Sequence, residues 1–271
     1  MKQKHLLGLE HFPADDLAKI IETSFSFKEI LDRPIKKVPS LQGKTIVNLF
    51  FENSTRTRIS FELAQKRLSA DTVNFSASSS SLKKGESFKD TVQNIEAMKI
   101  DAVVMRHPSP GSSLHLTKYI DSVVINAGDG THEHPTQALL DIYTLERSLA
   151  HRGGIDHKVI GMMGDLSRGR TARSLAYLMK NYQGVELIFI APDHFTMEPD
   201  ILDYLTRHNI RHSQTTELTR VISELDAIYV TRIQSEHDAS DGSRDINLAD
   251  YTLDPSNIDL MNIKLWIQIH N

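Results

Sequence analysis

Thr45-Ile46-Val47-Asn48-Leu49-Phe50-Phe51-Glu52-Asn53-Ser54-Thr55-Arg56-Thr57-Arg58 decides the fold. Residues 45–50 form an apolar run that reads as a buried strand. Residues 59–68 read as a helix. A strand that passes into a helix through hydroxyls and arginines makes an anion site. The first helical N–H groups have no partner within the helix, and the helix dipole favours negative charge there. Ser54, Thr55 and Thr57 add hydroxyl donors. Arg56 and Arg58 add planar, permanently charged ones. Taken alone, the segment reads more readily as a capped helix with solvated arginines. The rest of the chain tips the balance.

Outward from this segment, short β-rich runs alternate with helical patterns. Strands are expected at 45–50, 72–76, 102–106 and 122–126, and again at 158–163, 186–190, 227–231 and 265–269. Phe88, Val92, Ile95 and Met98 recur at helical spacing, as do Ala138, Leu139, Ile142, Leu145 and Leu149. Pro13, Asp15 and Asp16 mark the start of an N-terminal helix. The alternation predicts an α/β fold of two domains, each a parallel sheet flanked by helices. The seam falls near 150–157, where a long helix ends and Gly153-Gly154 precedes a new strand. That gives domains at 1–150 and 151–271. Two polar stretches, 77–86 and 234–250, read as mobile binding loops.

Composition narrows the function. With 31 basic and 35 acidic residues the net charge is −4, so no global basic field invites nucleic acid or an anionic membrane. An anionic ligand has to be caught by local arginines. There is no cysteine, which removes disulfides, thiol catalysis and thiolate metal sites. That usage suits a cytoplasmic protein. No apolar run approaches a membrane span, and Glu10 and His11 interrupt any signal-like core at the start.

Further constellations sit at strand ends, where ligands of parallel sheets bind. Arg106 ends one strand. Residues 130–137, Gly-Thr-His-Glu-His-Pro-Thr-Gln, follow another and open a helix with Pro135 at its first position. His134 and Gln137 then stand one turn apart and can address one small ligand. A histidine at a helix start tends to stay neutral and donate a hydrogen bond. His132, Glu133 and His134 are too tightly spaced to ligate a metal from one helical face, so no metal is expected. Residues 164–171, Gly-Asp-Leu-Ser-Arg-Gly-Arg-Thr, lack the spacing of a dinucleotide loop. Arg168 and Arg170 suggest carboxylate recognition instead. Arg232, after the strand at 227–231, offers another arginine at the same edge.

In this order and spacing the motifs resemble those of aspartate carbamoyltransferase catalytic chains, in the aspartate/ornithine carbamoyltransferase family. They are the Phe-x-Glu-x-Ser-Thr-Arg-Thr-Arg pattern ending at Arg58, Lys83-Lys84-Gly85-Glu86, Met105-Arg106-His107-Pro108, His134-Pro135-Thr136-Gln137, Gly164-Asp165-Leu166 with Gly169-Arg170-Thr171, and Thr231-Arg232-Ile233-Gln234. The resemblance implies a carbamoyl phosphate domain followed by an aspartate domain. It implies transfer of the carbamoyl group to L-aspartate, giving N-carbamoyl-L-aspartate and phosphate for pyrimidine synthesis. Ser54, Thr55, Arg56 and Thr57 would hold the phosphate. Arg106, His134, Gln137 and Thr57 would hold the carbamoyl group, with Thr57, Arg106 and His134 as the catalytic donors. Arg170, Arg232 and Gln234 would bind aspartate. Lys84 and Ser81, or another serine of the run 78–81, would reach a neighbouring subunit's site in a homotrimer. Some relatives also carry regulatory chains. The reaction calls for preorganised donors on a tetrahedral oxyanion and positive charge on a phosphate, with no cofactor.

Two departures stand against the pattern. The family continues after its last strand with His-Pro-Leu-Pro-Arg and a helix, whereas this chain ends at His270-Asn271. Glu236-His237-Asp238 replaces basic residues expected after Gln234. The resemblance therefore carries the expectation of a missing C-terminal segment and of weak or absent activity. The alternatives are a carbamoyltransferase for another amine, or an impaired homologue serving as a binding or assembly subunit.

Overall fold

A computed structural model describes residues 3–76, 87–232, 248–260 and 266–269. By internal contacts the chain divides into two compact units, Met1–Leu139 and Leu140–Asn271.

The first unit opens with helix α1 (Ala14–Leu31) and then builds a sheet from β1 (Thr45–Phe50), β2 (Asp71–Ser76), β3 (Ala102–His107) and β4 (Val123–Asp129). The spatial order is β2-β1-β3-β4 and every pairing is parallel. Helices α2 (Thr55–Arg67), α3 (Phe88–Ala97) and α4 (Ser112–Leu116) make the crossovers, and α5 (Pro135–Leu149) leaves β4. Successive strand residues face opposite ways. Leu49, Val103 and Met105 join one core with Val92, Leu116 and Val124. Ile46, Phe50 and Val104 join another with Ala70 and Ala127. Both faces are thus buried, which explains why these strands read as continuous apolar runs. Under α2 an amide pair replaces apolar packing. Asn48 and Gln65 exchange two hydrogen bonds, of 3.1 and 2.7 Å, and fix the helix on its strand. The N-terminal segment runs beside β4, with Leu6 bridged to Ile125.

The second unit holds β5 (Val159–Met163), β6 (Glu186–Ile190), β7 (Arg211–Thr215), β8 (Ala227–Thr231) and β9 (Trp266–Ile269), in the parallel order β7-β6-β5-β8-β9. The longer helices are α6 (Arg170–Leu178) and α7 (Pro199–Arg207); α8 (Leu218–Val221) and α9 (Pro255–Ile258) are single turns. Met163, Ile188, Ile190, Leu218, Ile222 and Ile228 form its main core.

The α/β class and the parallel sheets agree with the sequence reading. Two details differ. The second sheet has five strands rather than the expected four, the addition being Arg211-His212-Ser213-Gln214-Thr215. It is an edge strand with no fully buried side chain, so its residues carry no apolar signal. Helix α2 starts at Thr55 and not at 59, because Ser54 is its extended N-cap residue and Arg58 N already bonds Ser54 O. Three of the four anion-binding candidates therefore lie on the first helical turn. The stretch 77–86 and nearly all of 234–250 lie outside the described residues. Among the described residues no helix is long and apolar enough to cross a membrane.

Candidate active site

The carboxyl ends of β1, β3 and β4 are neighbours in the first sheet and carry the candidate residues. At the end of β1, Ser54 caps α2 in the extended conformation, but its hydroxyl makes no capping bond. The first-turn N–H groups of a helix stay unpartnered without such a cap, so this terminus retains its capacity for an anion. Thr55 and Arg56 are exposed and Thr57 is half-buried.

Beside it, Arg106 is the penultimate residue of β3, opposite Phe50. The side chain is buried, and its guanidinium donates to Glu52 Oε1 at 2.6 Å and to Ala127 O at 3.4 Å. Glu52 comes from the loop between β1 and α2, so this ion pair ties the turn before α2 to the end of β3. His107, the next residue, turns to Phe51 and Phe88 at centroid distances of 5.1 and 6.0 Å. Ser109 N–H donates to its Nδ1 at 2.9 Å, so the neutral ring carries its proton on Nε2. Burial lowers the imidazole's pKa against the opposing pull of Glu52 and Asp129. His107 also lines a cavity of about 530 Å³ with Phe88, Ser112, His115 and Lys118; none of the residues expected to bind ligand lines it.

The end of β4 turns through Asp129 into α5. Pro135 takes the first helical position, as its fixed φ allows. His134 stands just before it and is buried, while Gln137 is half-buried one turn on. Thr136 Oγ1 lies 3.4 Å from His134 Nδ1. The neighbouring groups diverge. Glu133 accepts Leu9 N–H through both oxygens, at 3.1 and 2.9 Å, and His132 leans on Asp129 at 3.3 Å. The three side chains at 132–134 are committed to different partners, a poor starting point for a shared metal.

In the second unit, β5 and β8 are paired and again end together. Gly164 follows β5 at φ 119°, where a Cβ would fall 2.3 Å from Thr231 O. Only glycine allows that approach. Thr231 Oγ1 donates to Met163 O at 3.1 Å, closing the two strand ends together. Arg170 opens α6 and is buried, and Arg232 follows β8 and is exposed. Arg232 thus follows β8 directly, whereas Arg170 stands beyond the loop after β5. Arg168 stacks over Phe195 at 5.5 Å, and Arg173 forms a two-pronged pair with Asp200. Ser81, Lys84 and Gln234 lie outside the described residues.

Two domain families match this chain. One, described as the aspartate/ornithine carbamoyltransferase carbamoyl-P binding domain, covers residues 4–147; the other, the Asp/Orn binding domain, covers 156–270. The chain belongs to the aspartate/ornithine carbamoyltransferase family. Among relatives in this family, the aspartate carbamoyltransferase catalytic subunit of Cytophaga hutchinsonii is 48% identical over 86% of this chain and 72% of its own length. That of Christiangramia forsetii is 55% identical over 69% of this chain, a match spanning 59% of the relative. Among solved structures, aspartate transcarbamoylase from Trypanosoma cruzi, in complex with carbamoyl aspartate and phosphate, superposes with a TM-score of 0.86 at 31% identity, over 97% of this chain and 83% of that one. The catalytic subunit of M. Jannaschii aspartate transcarbamoylase gives 0.86 at 34% identity, over 99% and 85%.

Sequence reading had missed the supporting carboxylates. Glu52 lies inside the 45–58 segment and Asp129 ahead of the histidine with no role legible in the sequence, and Glu133 enters there only as a rejected metal ligand. Their signal was weak: an acid at a strand end gains meaning only once its donor is known.

Proposed function

We propose that this chain transfers the carbamoyl group of carbamoyl phosphate to the amino group of L-aspartate, giving N-carbamoyl-L-aspartate and phosphate. The observation that carries the reading is the side-chain-uncapped start of α2, flanked on one sheet edge by buried Arg106 and by His134 at the start of α5. Family membership and the names of the relatives support it. Residues 1–150 serve as the carbamoyl phosphate domain and 151–271 as the aspartate domain. Ser54, Thr55, Arg56 and Thr57 hold the phosphate. Arg106, His134, Gln137 and Thr57 orient the carbamoyl group. Arg170, Arg232 and Gln234 take the two carboxylates of aspartate; Arg232 is exposed.

The neutral amine attacks the carbamoyl carbon. The oxygen becomes an oxyanion, which Arg106, His134 and Thr57 stabilise more than they stabilise the ground state. Phosphate then leaves against the α2 terminus and Arg56, and can itself accept the amine proton. Positioning two small anions together supplies much of the remaining rate. The active species is a cytoplasmic homotrimer whose sites receive Ser81 and Lys84 from a neighbouring subunit. The designation of relatives as catalytic subunits is consistent with regulatory partners.

The test is a carbamoyl-transfer assay over a panel of amines with labelled carbamoyl phosphate. Selective formation of N-carbamoyl-L-aspartate is expected. Turnover of ornithine or another amine in preference to aspartate, or binding of carbamoyl phosphate without any transfer, overturns the reading.

A further inference from the structure

We infer that Asp129 is a positioning residue for His134, acting through the turn between β4 and α5. The inference rests on the proposed role of His134. Asp129 is buried, at 2% exposure, yet it accepts from four directions. Oδ1 takes Asn126 Nδ2 at 2.9 Å and Glu133 N–H at 3.2 Å; Oδ2 takes Gly111 N–H at 2.8 Å and lies 3.3 Å from His132 Nδ1. Its backbone closes the same turn, since Asp129 N–H donates to Glu133 O at 3.1 Å and His132 N–H to Asp129 O at 3.0 Å. Both hydrogen-bonding groups of the Glu133 backbone, immediately before His134, are therefore held by Asp129. Gly128 sits at φ 116° and donates to Asn126 Oδ1 at 2.8 Å, which fixes the other side of the turn. Ala127, two residues before Asp129, supplies the carbonyl that meets Arg106.

A carboxylate suits this place because it has only acceptors, and all its surroundings are donors. Asparagine has the same shape but would turn an amide toward N–H groups. The turn would then have to open, and the entry into α5 would shift. A misplacement of about 1 Å can cost on the order of 10²-fold in rate. Asp129 itself need not touch substrate for this effect.

The experiment is a cycle of D129N, H134A and the double variant, read by kcat, by KM for both substrates and by the ring 13C and 15N shifts of His134. D129N is expected to lower kcat about 10–100-fold, to change KM little and to move the His134 shifts. In the H134A background the same substitution is expected to cost less than about threefold. Equal losses in both backgrounds, or an unchanged kcat in folded D129N, overturn the inference while leaving the role of His134 intact. A near-normal kcat for H134A instead overturns the reading of His134 itself. Where D129N does not fold, H132A serves. Its ring is half-exposed, so folding is not at stake, and it removes one partner of the carboxylate. A loss of about twofold in kcat that disappears in H134A supports the inference; unchanged kcat with unchanged His134 shifts overturns it.

Discussion

Arg106 brings a permanent charge into a nearly closed environment, where Glu52 meets it at 2.6 Å. An anionic substrate would compete with Glu52 for the same guanidinium. Glu52→Gln should therefore lose about 1–3 kcal/mol of stability without ligand, because a buried charge loses its counter-charge. Inorganic phosphate should raise the Tm of the variant more than that of the parent, and thermal melts with and without phosphate check this. His107 makes a second residue-scale test. Burial depresses its folded pKa, so the folded state binds fewer protons than the unfolded chain. The stability it contributes is full above the unfolded value of about 6.5 and is lost as pH falls from there through the folded value. His107→Gln should flatten the decline in stability between about pH 7 and pH 5, as urea titrations at several pH values would read. The positions of Arg106 at the end of an apolar run and of His134 just before a helix were legible in the sequence. Glu52 and Asp129 were not, because what they do depends on donors distant in the chain, such as Gly111 for Asp129.

Two helix starts in the first unit contrast a side-chain cap with a terminus that lacks one. Ser87 caps α3, and its hydroxyl accepts Asp90 N–H at 3.2 Å. Ser54 caps α2 with no such bond. Ser87→Ala should cost about 1 kcal/mol of stability. Ser54→Ala should cost under about 0.5 kcal/mol, in the range of ordinary surface changes, yet weaken phosphate binding. Paired denaturation and calorimetry on the two variants would separate these effects. A stability loss at Ser54 matching that at Ser87 would make it a plain cap. The elements themselves were legible where burial writes a pattern: the strands buried on both faces read as apolar runs, and α3 and α5 kept helical spacing. β7 was invisible because an edge strand satisfies its backbone on one side and needs no apolar face. The first turn of α2 was hidden because Ser, Thr and Arg are as common in loops as at helix starts.

At the scale of the whole molecule, each unit carries part of the proposed chemistry at the carboxyl edge of its own sheet. Arg56 follows β1 in the first unit, whereas Lys84 is proposed to serve a neighbouring subunit. If sites are shared in that way, neither an Arg56→Ala nor a Lys84→Ala homotrimer contains an intact site. On that reading Arg56→Ala would lose a bidentate charged contact to phosphate, and Lys84→Ala a cation donated across the interface. Random exchange of equal amounts pairs an intact Arg56 with an intact neighbouring Lys84 in roughly one site in four. Mixed protein should therefore regain about a quarter of the parent activity under exchange conditions, and none when the two proteins are merely combined without exchange. Native mass spectrometry would establish the exchange independently of the assay. Hybrids that form in full and stay inactive would mean that Lys84 serves its own subunit, and the sharing of sites would have to be abandoned.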